Sequence, residues 1–570
     1  MLDFCRLAFL FSVALLSGGW VASPWPVEAA ITFDHDIAPV VFQNCSGCHR
    51  PGQPAPFSLL NYQDVRQHAR QIAEVTEKRF MPPWLPEDGP FPFQHERHLT
   101  PDQIQLFRRW LEAGTPEGEA ADLPPLPHFV DGWQLGPPDV IARMSGHFTV
   151  PAAGYDVYRN FVLPVDLTTR KYVRAAEFRP GPGGAVHHAF IRVDRRGGAR
   201  KLDGRDGQAG FAGMQLPEGV ETPGGYFLSW QPGKMPSAEA PGYGWTLEPG
   251  QALTVEAHLK PAGKPVDLQL EVGLYFTDIA PTNSTVIISL ASLCLAIPPG
   301  ETNYVVEDQF VLPIPVELMS VLPHAHYLGR QLEGFAVRPG GAPETLIQIN
   351  DWDFNWQGDY RYAQPVRLPA GTVLRMHYTY DNSVANPRNP HSPPQEIDYG
   401  PQSADEMAEL WFQVRAQDNA AATQLNEAYA EKRSKVIGKY AQFRLSRNPH
   451  DAEARTEWGF IQMRSQDQAG AMASFRTAIQ DDPKADQPHY FLGVIYRTQQ
   501  QLAEARAEFE TAIRLNPQNA KAHGNLGIIF MEQGNLRRAE RSLRDALRLN
   551  PADELARDSL EKVRQAMVSP

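Results

Sequence analysis

The sequence predicts a multidomain chain: a small all-α module, two β-sandwich domains and an α-helical solenoid, in that order. Three observations predict it. The chain has 570 residues, too many for one hydrophobic core. Its 51 prolines and 44 glycines are unevenly spread, with only 6 of each after residue 448. In that tail, Pro449, Pro483, Pro517 and Pro551 recur every 34 residues. A turn-rich front is therefore joined to a helix-compatible tail. A hydrophobic content of 42% with 21% charged residues is that of a globular protein. A net charge of −13 argues against a general nucleic-acid binder, which would need a basic face. The tail is close to neutral, so nearly all of the acidic excess lies in the front.

Residues 1–29 read as a cleaved signal peptide. Arg6 opens it, Leu7 to Leu16 is apolar apart from Ser12, and Val27-Glu28-Ala29 is a small-x-small cleavage signature. The apolar run is short for a spanning helix, and nothing later approaches 18 consecutive apolar residues. The expectation is an exported chain, periplasmic or secreted, with no membrane span once mature.

Residues 30–125 form the small helical module. Apolar spacing predicts helices over Asp64 to Glu77 and Pro101 to Ala113, the second opened by the Thr100 cap and a first-turn proline. The module carries Cys45-Ser46-Gly47-Cys48-His49, the attachment pattern of c-type haem. Two thiols at this spacing reach the two vinyl groups of one haem, and His49 lies under the iron as an axial ligand. Zinc would need two further ligands at suitable spacing. No second CxxC exists, and Cys294 is distant and expected to be a buried free thiol. The stretch resembles the small cytochrome c domains of exported bacterial multidomain proteins. That resemblance points to Met81, in Met81-Pro82-Pro83-Trp84, as the second axial ligand, with His68, His95 and His98 as competitors. Pro124, Pro125 and Pro127 then mark a stiff linker ending with residues 126–135.

From residue 136 to 415, short apolar runs alternate with Pro/Gly turns, as at Phe148 to Val150, Ala185 to Val193, Leu253 to Leu259 and Leu268 to Phe276. This spacing argues for β-sandwiches, divided here as 136–300 and 301–415. Three histidine features stand out: His187-His188, His258, and the pair His324 and His326. On a strand His324 and His326 project from one face and can grip one metal. His187 and His188 are adjacent and point to opposite faces, so both reach one metal only at a strand end or a bulge.

In order, the region shows Glu177-Phe178-Arg179-Pro180, His187-His188, Trp230-Gln231-Pro232-Gly233, His258 with Lys260-Pro261-Ala262-Gly263-Lys264, Pro323 with His324 and His326, Tyr380-Asp381-Asn382-Ser383, and Asp405-Glu406-Met407. This series resembles the copper type II, ascorbate-dependent monooxygenases, among them the peptidylglycine α-hydroxylating enzymes. The resemblance implies two copper domains. His187, His188 and His258 would hold an electron-transfer copper. His324, His326 and Met407 would hold the catalytic copper, where O2 is activated and an organic substrate is hydroxylated. Imidazole suits both copper states, and a thioether favours Cu(I). Ascorbate is the family reductant, and the fused haem is expected to replace or supplement it. Leu322 stands where the peptide-amidating enzyme has a substrate-binding arginine. Glu409 and Trp411 stand where it has asparagine and tyrosine, so peptide amidation is not expected.

The tail, 449–570, resembles three tetratricopeptide repeats with a capping helix at 552–568, after a connecting helix at 416–448. Gly459, Gly493 and Gly527 share the 34-residue period, as do Ala478, Ala512 and Ala546, and Phe475, Phe509 and Leu543. Such a surface takes a protein partner or buttresses the copper domains. The expected function is a haem- and copper-containing monooxygenase. The alternatives are a non-catalytic electron-transfer protein and a repeat-organised copper-binding scaffold.

Overall fold

The computed structural model describes residues 30–568, apart from 52–54, 131, 182–183, 214–215, 240, 283–284 and 552. The expected signal peptide lies outside the described residues. The front is helical: Phe33–Ile37, Ala38–Asn44, Tyr62–Gln67, Ala69–Glu77 and Pro101–Glu112. The helix expected over 64–77 is broken at His68, whose backbone leaves helical geometry. Thr100 and Gln103 form a reciprocal capping box on the last helix. Phe33, Ile37, Val41, Val65, Phe107 and Trp110 are the buried centre of this module.

The middle is β-rich and falls into two units. The first unit has a four-stranded and a six-stranded antiparallel sheet, and both contribute to one core through residues such as Val173, Val255, Leu253 and Leu274. The second has two four-stranded sheets over a core that includes Ile288, Leu332, Tyr378 and Phe412. The run expected as one strand over 268–276 is two, Val266–Leu268 and Glu271–Thr277, in different sheets. The boundary between units also falls earlier than residue 300. Thr285–Ala291 pairs along its whole length with Glu409–Arg415, at the end of the second unit. A long-range strand pairing of this kind leaves no local trace in composition.

The front module does not end at its own core. Its loop after the Ala69–Glu77 helix runs along the second β unit. Glu87 N–H donates to Gln348 O at 2.8 Å, Gln94 N–H to Arg361 O at 2.7 Å, and Ala363 N–H to Pro92 O at 2.8 Å. Phe93 is buried in the second unit's core, against Tyr360 and Tyr362. The segment after the linker is docked too, with Trp133 beneath the Arg179 guanidinium and Gln134 N–H on Glu177.

Asn419–Arg447 is a single 29-residue helix, and three helix pairs and a final helix, Glu554–Val568, follow. In each pair a glycine lies under a large side chain of the second helix. A Cβ at Gly459 would meet Phe475 at 2.7 Å, one at Gly493 would meet Phe509 at 2.7 Å, and one at Gly527 would meet Leu543 at 2.6 Å. This close approach accounts for the coincident glycine and Phe/Phe/Leu periods. The long helix anchors the tail through Lys432 on Asp308 and through Arg447 on Glu396 and Asp398. No described helix is long and apolar enough to cross a membrane.

Candidate functional site

His187 and His188 open the strand Val186–Asp194, which pairs with Ala252–Leu259. The register runs His258 to His188, then Leu259 to Val186, so His187 is the extra residue of a bulge. Both conditions for adjacent histidines to converge, a strand end and a bulge, are met. His187 Nδ1 lies 3.1 Å from His188 Nδ1 and 3.3 Å from His258 Nδ1. A metal with bonds of about 2 Å fits among three nitrogens at that spacing. Among the described residues this is the one cluster of three or more His, Cys, Asp or Glu side chains close enough to hold a metal.

The outward nitrogens are held by oxygen. His258 Nε2 donates to Asp156 Oδ2 at 2.7 Å and His187 Nε2 to the Asn355 carbonyl at 3.2 Å. Those bonds direct the Nδ1 lone pairs inward, as second-shell acceptors do at metal sites. Burial pushes His187 down to about 3 and lowers His188 and His258 as well, with Asp156 opposing it at His258. All three are neutral near pH 7, the protonation state that binds metals.

His324 ends the strand Val316–His324, and His326 stands just beyond it rather than on the strand. Their rings are still neighbours, with centroids 5.2 Å apart. His324 Nδ1 donates to Gln357 Oε1 at 2.6 Å and His326 Nδ1 to the Asp405 carbonyl at 3.1 Å, and the Gln402 backbone also bonds the His326 ring. Burial pushes His326 down to about 3. Met407 is buried. The Glu406 carboxylate, itself buried, accepts the backbone N–H groups of His326, Leu328 and Met407. One side chain thus ties together the two segments that carry the His-His-Met set. The three-histidine set fits one of the two coppers that the resemblance implies, and His324 and His326 offer two imidazoles for the other.

The two histidine sets are in near contact. Gln357 Oε1 bonds His324 while its Nε2 lies 3.3 Å from His188 Nδ1. The Phe354 ring lies 5.8 Å from His187, 6.2 Å from His258 and 5.2 Å from His326. Around them the β units are clamped together. Arg361 makes a two-pronged pair with Glu239 at 2.6 and 2.9 Å, and Asp359 accepts from Ser229 and Lys234. A cavity of ≈ 20 Å³ lies at this seam, lined by His188, Phe190, Trp230, Leu322, Gln357 and Asp359 among others. It holds about one water. A larger open groove of ≈ 590 Å³, with Arg338, Arg367 and Arg415 on its walls, has none of the histidines in its lining. Glu409 is bonded by Trp411 Nε1 at 2.8 Å.

No curated protein matches this chain. A family described as TPR repeat matches residues 493–534, and one described as Tetratricopeptide repeat matches 520–553. Residues 493–553 are tetratricopeptide repeats. A solved structure of the first TPR of Spaghetti (RPAP3) bound to HSP90 peptide SRMEEVD is similar at 22% identity. The match covers 21% of this chain and 94% of that one, with a TM-score of 0.20. The helix pair Ala452–Arg464 and Gln468–Asp481 precedes the matched residues and repeats their glycine-under-phenylalanine contact.

In the front module Cys45 and Cys48 are free thiols, and burial pushes Cys45 up to about 12. His49 Nδ1 donates to the Phe57 carbonyl at 3.2 Å, which leaves Nε2 for a ligand bond. Arg97 and Arg50 lie close enough to Cys48 to lower its thiol against the burial that raises it. The Arg50 guanidinium lies over Phe129, and its buried Nε has no hydrogen-bond partner among the described residues. A thiol pair, an oriented imidazole and an unpaired buried cationic donor fit a haem with its carboxylates. Of the candidate second ligands, His68 stacks on Phe57 at 3.8 Å, and Phe57 lies 4.8 Å from His49. Met81 follows the helix Ala69–Glu77 and is half-buried, and His98 pairs with Asp88. Cys294, expected to be buried, is half-buried and unpaired.

Sequence reasoning passed over Asp156, Asn355, Phe354 and Gln357 and assigned no role to Glu406. Three of them crowd into Asp351-Trp352-Asp353-Phe354-Asn355-Trp356-Gln357-Gly358-Asp359, whose density of aromatic and polar residues was the available signal.

Proposed function

We propose that the protein is an exported haem- and copper-containing monooxygenase that inserts one atom of O2 into a substrate C–H bond. The observation that carries this reading is the convergence of three neutral imidazole Nδ1 atoms beside the His324 and His326 pair, linked through Gln357. His187, His188 and His258 would hold one copper, and His324, His326 and Met407 the other. Copper bound there supplies one-electron chemistry with O2 that no side chain of the chain can perform. Cys45, Cys48 and His49 would hold one haem c, with Met81 the proposed second axial ligand. Haem held there would supply electrons, in place of or alongside ascorbate.

The chain's own residues set the conditions for that chemistry. Asp156 and the Asn355 carbonyl orient the first set, and Gln357 and the Asp405 carbonyl orient the second. Glu406 fixes the backbone of both ligand-bearing turns in the second set. The buried Phe354 ring packs beside histidines of both sets. The seam cavity has Phe190, Trp230 and Leu322 in its wall and borders His188 but none of His324, His326 and Met407, so it is not itself a pocket for an organic substrate. At ≈ 20 Å³ the seam must open to admit one. The same small volume favours a second reading, a non-catalytic haem and copper electron-transfer protein. On either reading the repeat tail offers a surface for a protein partner.

Metal and haem analysis of the purified protein tests the reading: two coppers and one haem are expected. Substrate-dependent O2 consumption separates the enzyme from the electron-transfer protein. Met407→Ala should abolish it while leaving the three-histidine copper bound; intact turnover in that variant rules out the copper–oxygen chemistry.

A further inference from the structure

The segment Phe354–Trp356 and the residue after it make contacts in three directions. The Asn355 carbonyl accepts from His187. Gln357 reaches His324 and His188. Between them Trp356 faces the front module, where its ring meets that of Phe80 edge-on at 6.1 Å. That distance is within the range of aromatic contact. Phe80 immediately precedes Met81 and follows the last turn of the helix Ala69–Glu77. The Trp356 Nε1–H is buried and has no hydrogen-bond partner among the described residues. Buried donors are seldom left unpaired in native structures. The module is also docked by backbone bonds at residues 87–94, by the Trp84, Phe91 and Phe93 rings against Tyr360 and Tyr362, and by Arg97 on the Gly233 carbonyl. Trp356 is the residue of this bridging segment that touches the front module while its two chain neighbours bond both histidine sets.

We propose that Trp356 is the contact that couples the haem module to the two copper sites. This rests on the haem-and-copper reading above. The step it serves is a single electron transfer. Ferrous haem is oxidised to ferric, and a cupric ion at the three-histidine site is reduced to cuprous. No bond forms or breaks, and no proton moves. Trp356 does not react; it is a positioning residue that keeps the module and the bridging segment in continuous contact.

The test uses the full-length protein loaded with haem and copper. The haem is reduced by a flash-generated flavin semiquinone, and its reoxidation is followed by visible absorbance. Trp356→Leu removes the ring contact, Trp356→Phe keeps a ring, and Phe80→Leu breaks the contact from the other side. Haem and copper contents are measured in each. Reoxidation is expected to slow by about tenfold in Trp356→Leu and Phe80→Leu and to recover in Trp356→Phe. Wild-type rates in a fully loaded Trp356→Leu overturn the proposal. Where that variant fails to load, an unchanged rate in Phe80→Leu does so. Haem and copper that are both present but exchange no electron in the wild type also overturn it, while the copper reading stands. A wild-type protein that binds no copper or no haem overturns the reading itself, and this proposal with it.

Discussion

Asp156 binds no metal on the proposed reading, yet it decides which nitrogen of His258 can. Its carboxylate accepts a hydrogen bond from Nε2–H at 2.7 Å and leaves Nδ1 facing the other two histidines. Asp156→Ala should weaken copper binding at the three-histidine site by about 10- to 100-fold. A chelator-competition titration measures this, and unchanged affinity would show that the carboxylate only solvates the ring. Phe354 acts through volume instead. It is almost fully buried and lies beside histidines of both sets. Phe354→Ala should cost about 3–5 kcal/mol of stability, read from denaturant unfolding, because the cavity it leaves is walled by side chains already held by other bonds.

At the scale of elements, the bulge at His187 and the repeat glycines show the same logic: backbone geometry is chosen to let side chains meet. An unbroken strand would send His187 and His188 to opposite faces. One extra residue opposite His258 and Leu259 brings both to one point. In the tail, Gly493 leaves no room for a Cβ against the Phe509 ring. Gly493→Ala should destabilise the repeats by about 1–3 kcal/mol through overpacking. Gly459→Ala and Gly527→Ala should do the same, and circular dichroism during urea unfolding measures each. An exposed helix would gain stability from the same change, since alanine is the better helix former, so the sign of the effect separates the two cases.

On the scale of the whole molecule, the β units, the front module and the tail are assembled by a few specific contacts. Arg361 and Glu239 pair across the seam, each side chain at most 25% exposed. Arg361→Met leaves Glu239 partly buried without its cation and should cost about 3 kcal/mol. An unchanged urea midpoint would show that this pair contributes nothing to assembly. The front module's loop is part of the second unit's core through Phe93, so the front module and that unit should unfold together.

Much of this was legible in the sequence because it was local. The CxxCH pattern, the 34-residue period and the short apolar runs depend on residues near one another in the chain, and so does the requirement that His187 and His188 have a strand end or bulge. The ordered series of motifs also singled out the candidate ligands. Tertiary structure alone decided what lies between them. Gln357 is 169 residues from His188 and 33 from His324, and Asp156 is 102 from His258. Nothing in a linear spacing records those approaches. They arise because two β cores, each closed by long-range strand pairing, press one segment, 354–357, into the seam they share. The same packing sets the seam cavity at ≈ 20 Å³, a volume that no composition predicts.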